Sequence, residues 1–193
     1  MSMGSKSRMA GPVDRQVLLR VLVAAFMDDP VTTWFDPNPA TRARRLERLF
    51  GHVLEKYLPR GTVWTNDERS AAAVWVPPHT PVTAADVRFY LRLYRDRPLK
   101  GLAWALRVEA HRPRFPHWLL LYLGVEPGRQ GQGLGGALLA AGLARAGAEG
   151  WPAYLVASST GSRRLYERHG FQVLREVRLW GGLRAWPMLW RPG

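Results

Sequence analysis

Two spacings of apolar residues alternate along the chain. After a polar start at residues 1–12, predicted to be a flexible tail with at most a stub of strand around 6–10, Asp14 is placed to cap a helix through VLLRVLVAAFM. Its buried face would carry Val17, Val21 and Ala24 or Ala25. Segment 28–39, DDPVTTWFDPNP, has three prolines and reads as a loop displaying Trp34 and Phe35. A helix over 40–58 sets Leu46, Leu49 or Phe50, Val53 and Tyr57 at spacings of three and four, with an Arg-rich opposite face. Two strands, 62–65 and 71–76, follow around a turn at 66–69, and Pro77 and Pro78 end the second. Thr83 with Asp86 forms a capping box for a helix to Tyr94, and Pro98 opens another to about Ala110. These two helices carry Phe89, Tyr90, Tyr94 and Trp104, most of them core, with one or two left to line a pocket.

The last third has a different rhythm. A buried strand over 119–125 runs through a short turn into a glycine-rich loop and a helix that starts near Gly133 and ends at Gly150. A second buried strand, 154–158, lies parallel to the first by a right-handed crossover. A short helix to His169 follows, and 171–179 with 184–190 forms a hairpin around Gly181 and Gly182.

The chain has 193 residues, 47% of them hydrophobic, with no shift in composition that marks a second domain. One domain over 13–193 is predicted. No apolar run is long enough to span a membrane, and MSMGSKSRMAGPV lacks the apolar core of a secretory signal. With no cysteine there is no disulfide, thiolate metal site or cysteinyl intermediate, and a cytoplasmic protein is expected. The five histidines are scattered without the i, i+4 spacing of a zinc helix, so no metal is expected. The formal charge of +13 raises nucleic acid as a partner. It comes from Arg spread along helical faces, with Lys only at 6, 56 and 100, and reads instead as a solvated surface that favours an anionic cofactor.

The chemistry concentrates in LLLYLGVEPGRQGQGLGG, residues 119–136. Glycines at 131, 133, 135 and 136 let a ligand approach the backbone, and the unpaired N–H groups of the following helix suit phosphate oxygens. Gly131, Gly133 and Gly136 satisfy the dinucleotide pattern GxGxxG, whereas Gln130, Gly133 and Gly135 satisfy QxxGxG. A nicotinamide site needs an acidic residue at the end of the next strand, and YLVASS supplies none.

QxxGxG followed by SSTGSRRLYERHGF resembles the GNAT superfamily of N-acetyltransferases. FPHWLLLYLGVEPGRQGQGLG, WPAYLVASS, LYERHGF and MLWRPG look like its bacterial puromycin N-acetyltransferase branch. The resemblance implies a single α/β domain of α+β type: a mixed, mainly antiparallel twisted sheet with splayed central parallel strands and helices on both faces. Residues 13–116 would form the acceptor side and 117–193 the acetyl-CoA side. It implies acetyl-CoA as cofactor, bound by backbone near Leu123 and Val125, by Gln130, Gly131, Gln132, Gly133, Leu134, Gly135 and Gly136, and by Ser162, which stands where the family usually has Asn. Gly124 would sit at a bulge that opens the splay, or else accommodate close packing. Tyr166 would return a proton to the coenzyme A thiolate. The branch carries acidic residues where this chain has Leu121 and Val156, which leaves Asp28, Asp29, Glu109, His111, His117 or a water chain to deprotonate the amine. Asp29, Trp34, Phe35 and Trp180 are candidates for contacts to a small-molecule amine, antibiotic-like or a secondary metabolite. The alternatives are a coenzyme A-binding module that has lost catalysis, or acetylation of a protein or RNA-linked amine; a homodimer is compatible with either.

Overall fold

A computed structural model describes residues 6–193. The strands are β1 (Ser7–Met9), β2 (Val63–Asn66), β3 (Ala71–Val76), β4 (Trp118–Val125), β5 (Ala153–Ala157), β6 (Gln172–Val173), β7 (Val177–Arg178) and β8 (Arg184–Trp190). The helices are α1 (Arg15–Phe26), α2 (Pro30–Phe35), α3 (Pro39–Tyr57), α4 (Ala84–Leu93), α5 (Pro98–Arg107), α6 (Leu134–Ala148) and α7 (Thr160–Arg168). The sheet runs β1-β2-β3-β4-β5-β8-β6, with β7 also on β8. Only β4 and β5 pair in parallel; every other ladder is antiparallel.

β3 shows why the domain has two cores. All six of its residues are buried, and alternation sends Ala71, Ala73 and Trp75 to one face and Ala72, Val74 and Val76 to the other. On the first face lies α6, with Leu138, Leu139 and Leu143. On the second lie α1 and α3, with Leu18, Leu22, Phe50, Val53 and Leu54. Helices on both faces of a mixed sheet are the predicted architecture. The small residues of α6 have a definite purpose at Gly142, where a Cβ would stand 2.2 Å from Trp75 Cε2.

The structure tests several local predictions. The stub of strand expected around 6–10 forms: Ser7–Met9 pairs with β2, Ala10 is buried, and Arg8 clamps Asp14 with two hydrogen bonds of 2.9 Å, while residues 1–5 of the expected tail lie outside the described residues. Asp14 therefore serves that pair, and its side chain does not cap α1. The buried face of α1 is Leu18, Val21 and Leu22, set by where β3 and β4 pass. Segment 28–39 is not a loop. Asp29 caps α2 by accepting from the N–H groups of Val31 and Thr32, with Pro30 at the first helical position, where a missing N–H costs nothing. The helix turns Trp34 and Phe35 inward, to 9% and 8% exposure, against Val177, Leu179 and Leu183. The final hairpin forms, but its first arm is broken into β6 and β7, while Gly181 and Gly182 take left-handed φ values of 74° and 79° at the turn.

Candidate functional site

The parallel pair at the sheet's centre holds for only two registered positions, Trp118 with Ala153 and Leu119 with Tyr154. Beyond them the strands part, although β4 stays paired to β3 and β5 to β8 along their lengths. The cause lies one step further on. Val74 faces Tyr122 and Trp75 faces Leu120, which leaves Leu121 without a partner in β3, a bulge that bends β4 where the gap starts. Gly124, the predicted bulge, is in register with Ala72. Its lack of a side chain serves packing, because a Cβ there would meet Ala25 Cβ at 3.0 Å and Leu22 Cδ2 at 3.1 Å.

The gap opens into one cavity of about 1740 Å3. Residues from Leu119 to Val125 line it, together with Tyr154, Val156 and Ser158 from the facing strand and its end. Separating two strands leaves edge N–H and C=O groups without a ladder, so the backbone itself is available to a ligand.

At one end lies the glycine loop. Gly131 and Gly133 have φ of 78° and 81°, and Gly133 is the residue from which α6 departs. Ala137 is the first residue of the helix to bond back, to Gly133 O at 3.0 Å, so the N–H groups of Leu134, Gly135 and Gly136 precede any carbonyl partner. Gln130, Gly131, Gly133, Leu134, Gly135 and Gly136 all line the cavity, as do Arg129 and Arg168. Gln130 donates through Nε2 to Val125 O at 3.3 Å, tying the loop to the end of β4. Gln132 is outside the lining; its amide oxygen accepts from Arg129 Nε at 3.3 Å. Ser162 lines the cavity but its hydroxyl is engaged in the capping box of α7, accepting from Ser159 N at 3.1 Å and donating to Ser159 O at 3.0 Å. This chain uses the position to start a helix, which a serine oxygen does well.

At the middle of the cavity stand Tyr166 and Asp29. Tyr166 packs against Phe171, with ring centroids 5.9 Å apart, and among the described residues none accepts from its hydroxyl. Burial, and then the negative charge of Asp29, push its pKa well above the ordinary phenol value. Asp29 arrives from the distant N-terminal third. Its Oδ1 caps α2, and its Oδ2 accepts a hydrogen bond from the hydroxyl of Ser158 at the end of β5. Burial raises its pKa, and the bonds from Ser158, Thr32 and Val31 offset only part of that. Nothing in the sequence marks the Ser158 contact, 129 positions away. The Asp-Pro pair did carry a signal, the N-cap and first-residue signature of a helix.

Other candidates fall elsewhere. His117 has both ring nitrogens occupied, Nδ1 with Phe115 O at 2.7 Å and Nε2 with Arg112 Nε at 3.2 Å. His111 lies outside the cavity, with its Nδ1 on Arg107 O and its Nε2 beside Arg175. Asp28 and Glu109 line the outer cavity and are exposed. Phe35 reaches the cavity; Trp34 and Trp180 do not. Trp34 is spent on packing, its Nε1 donating to Trp180 O at 2.8 Å, while the Trp180 side chain is 52% exposed. Tyr90, Tyr94 and Trp104 also line the cavity, as do His52, Lys56 and Asp86. Burial would raise the pKa of Asp86, but Lys56 Nζ at 2.6 Å and Thr83 hold it low.

Residues 85–173 match the acetyltransferase (GNAT) domain family. The chain carries a GNAT acetyltransferase domain. It is 30% identical to mycothiol acetyltransferase of Clavibacter sepedonicus over 162 residues, which is 82% of this chain and 45% of that protein, so the chain spans about half the length of this relative. Among solved structures it is similar to a histone acetyltransferase HPA2-related acetyltransferase of Corynebacterium glutamicum, with TM-score 0.75 and 28% identity over 99% of this chain and 98% of that one. The polyamine N-acetyltransferase of Drosophila melanogaster shares the fold, with TM-score 0.65 and 20% identity over 96% of this chain and 98% of its own. No described helix is long and apolar enough to cross a membrane, and no cluster of potential metal ligands occurs among the described residues.

Proposed function

We propose that the protein transfers acetyl from acetyl-CoA to the amine of a small molecule, directly, in a ternary complex. The observation that carries this is the parting of β4 and β5 after two pairs, beside a helix N-terminus with free donors, in a cavity that also holds Tyr166 and Asp29. Gln130 to Gly136 would hold the pyrophosphate, whose charge the helix dipole and Arg129 favour. The acyl arm would lie in the gap, where backbone near Leu123 and Val125 can bond the pantetheine and polarise the thioester.

The transfer balances with the residues present. The amine nitrogen forms a bond to the acetyl carbon, the carbon–sulfur bond breaks, and its electron pair leaves on sulfur. Asp29 takes the proton that the nitrogen loses. Tyr166 gives its phenolic proton to the departing thiolate. A phenol of pKa about 10 is a weak donor to a thiolate of about 8.5 in water. In a buried cavity both anions are disfavoured, so placement rather than intrinsic acidity decides the transfer. Asp29, from α2's N-cap, would serve in place of the acidic residues absent at positions 121 and 156, and its presence in the cavity lining speaks against a module that binds the cofactor without reacting.

The acceptor is read as an antibiotic-like or secondary-metabolite amine, in keeping with the sequence likeness to the puromycin branch and with the aromatic lining at Phe35, Tyr90, Tyr94 and Trp104. A chain without cysteine suits the cytoplasm. Tyr166→Phe should lower kcat by about 100-fold, and Asp29→Asn by a similar factor with loss of the acidic limb of the pH profile. Both should still release heat on titration with acetyl-CoA. Calorimetry of the unaltered protein that shows no heat with acetyl-CoA defeats the proposal.

A further inference from the structure

The outer wall of the cavity has apolar side chains that the fold leaves uncovered. α5 buries none of its residues. Leu91 on α4 is 67% exposed and Leu102 on α5 is 55% exposed, and both line the same cavity as Asp29 and Tyr166. Val82 and Val87 extend that surface. Large apolar side chains gathered at one place on a surface mark a contact with something apolar. Among the polar groups of the lining, Asp86 is already taken by Lys56 and Thr83 and the His52 ring is stacked on Phe89 at 3.9 Å, while Asp28, Arg95, Glu109 and Arg112 also face the cavity. Tyr90, Tyr94 and Trp104 line the same cavity and add to its apolar surface, and the carboxylate of Asp29 faces it as well.

Size points the same way. Small-molecule sites usually measure about 300–1,000 Å3, and this cavity of about 1740 Å3 has room for the cofactor arm and a long second ligand. A hydrophilic polyamine would gain nothing from Leu91 and Leu102. A compact aromatic amine would fill only the inner portion.

We infer that the acceptor is an amine bearing an extended apolar chain, its nitrogen at Asp29 and its chain running outward past Tyr90 and Tyr94 to lie across Leu91 and Leu102. This deepens the acetyltransferase reading and rests on it for the transfer itself. The chain's contacts with the wall are made before and during transfer alike, so their effect falls on KM and leaves kcat nearly constant.

The test is a series of straight-chain amines from propylamine to octylamine, followed by coenzyme A thiol release and, without cofactor, by calorimetry. The expected result is a rise in kcat/KM of about two- to fourfold per methylene, carried by KM. In the double variant Leu91→Gln/Leu102→Gln the ratio of kcat/KM for octylamine to that for propylamine should fall about tenfold; both positions are exposed, so the fold tolerates the change. Turnover of propylamine with a flat series overturns the inference and leaves acetyl transfer standing. A steep series that the double variant retains also overturns it. If no amine is acetylated, octylamine binding that exceeds propylamine binding and weakens in the double variant supports the apolar-chain site while the transfer reading fails; equal heats sink it. Should the double variant lose only its retention on phosphatidylglycerol vesicles, with the amine series unchanged, the wall is a membrane contact and the inference is wrong.

Discussion

The two ends of the cavity are built from different material. The phosphate end is a continuous stretch of backbone, 130–136, shaped by glycines at φ 78° and 81° and by the first turn of α6. The acceptor end is assembled from side chains on separate helices: Asp29 and Phe35 from α2 and its cap, His52 and Lys56 from α3, Tyr90 from α4 and Trp104 from α5. A backbone site depends on a few glycines and offers N–H groups that any anion can use. A side-chain site is set by the residues that several helices contribute and changes with a substitution on any of them. Rigidity differs too. α6 is seated on the sheet through Leu138, Leu139 and Leu143, whereas α5 buries no residue at all.

The seating of α6 provides the largest effect. Gly142→Val would place a Cβ 2.2 Å from the Trp75 ring, itself 1% exposed. Neither the helix backbone nor the indole has room to retreat, and the overpacking should cost about 3 kcal/mol or more. Leu106→Ser on α5, by contrast, should change stability by about 0.5 kcal/mol at most. Urea denaturation of the two variants gives the comparison directly. Equal losses would show that the two ends rest on equally firm ground.

A smaller effect separates the ends chemically. Gly133 has φ 81° and ψ −4°, a left-handed conformation that costs a residue with a Cβ about 1–2 kcal/mol. Nothing lies within 4 Å of the Cβ position, so strain alone is tested. In Gly133→Ala the free loop should relax to an ordinary φ and have to return on binding, raising KM for acetyl-CoA about tenfold. The KM for the amine should move less than twofold in steady-state kinetics. A matching rise in both would mean that the loop and the acceptor wall act as one unit.

The same division explains what could be read from the chain. Gln130, Gly131, Gly133 and Gly136 announce their end of the site because the chemistry lies in consecutive residues, and Thr83 with Asp86 announces α4 because a capping box is local. Most helices and strands were legible from periodicity for the same reason, whereas their layering was implied by the resemblance to the GNAT superfamily. The bulge at Leu121 was not, because it depends on the register of β3 against β4, which no single strand records. Nor was the bond from Ser158 to Asp29, which exists only once α2 docks against the end of β5. Trp34 illustrates the opposite error. An aromatic between prolines reads as displayed, yet the helix begun by Asp29 and Pro30 turns it into a core that only the hairpin at Gly181 completes.

Asp29 gives the smallest expected effect and the one that ties the comparison to stability. Burial raises its pKa in the folded protein above the unfolded carboxylate value. The folded state therefore binds this proton more tightly than the unfolded chain does. Stability from this group is fully present below the unfolded pKa and is lost as pH rises through the folded pKa, so above the folded pKa the charged Asp29 is a cost carried by the acceptor end. Asp29→Asn keeps an oxygen to accept from Val31 and Thr32 and removes the buried charge. The variant should melt a few degrees higher than the parent at pH 8, with the difference shrinking towards zero as pH falls below the unfolded carboxylate pKa of about 4. Differential scanning fluorimetry across that range checks it. A variant that melts lower at pH 8 would mean that Ser158 and the cap compensate the charge in full, and that the acceptor end is no less stable than the phosphate end it faces.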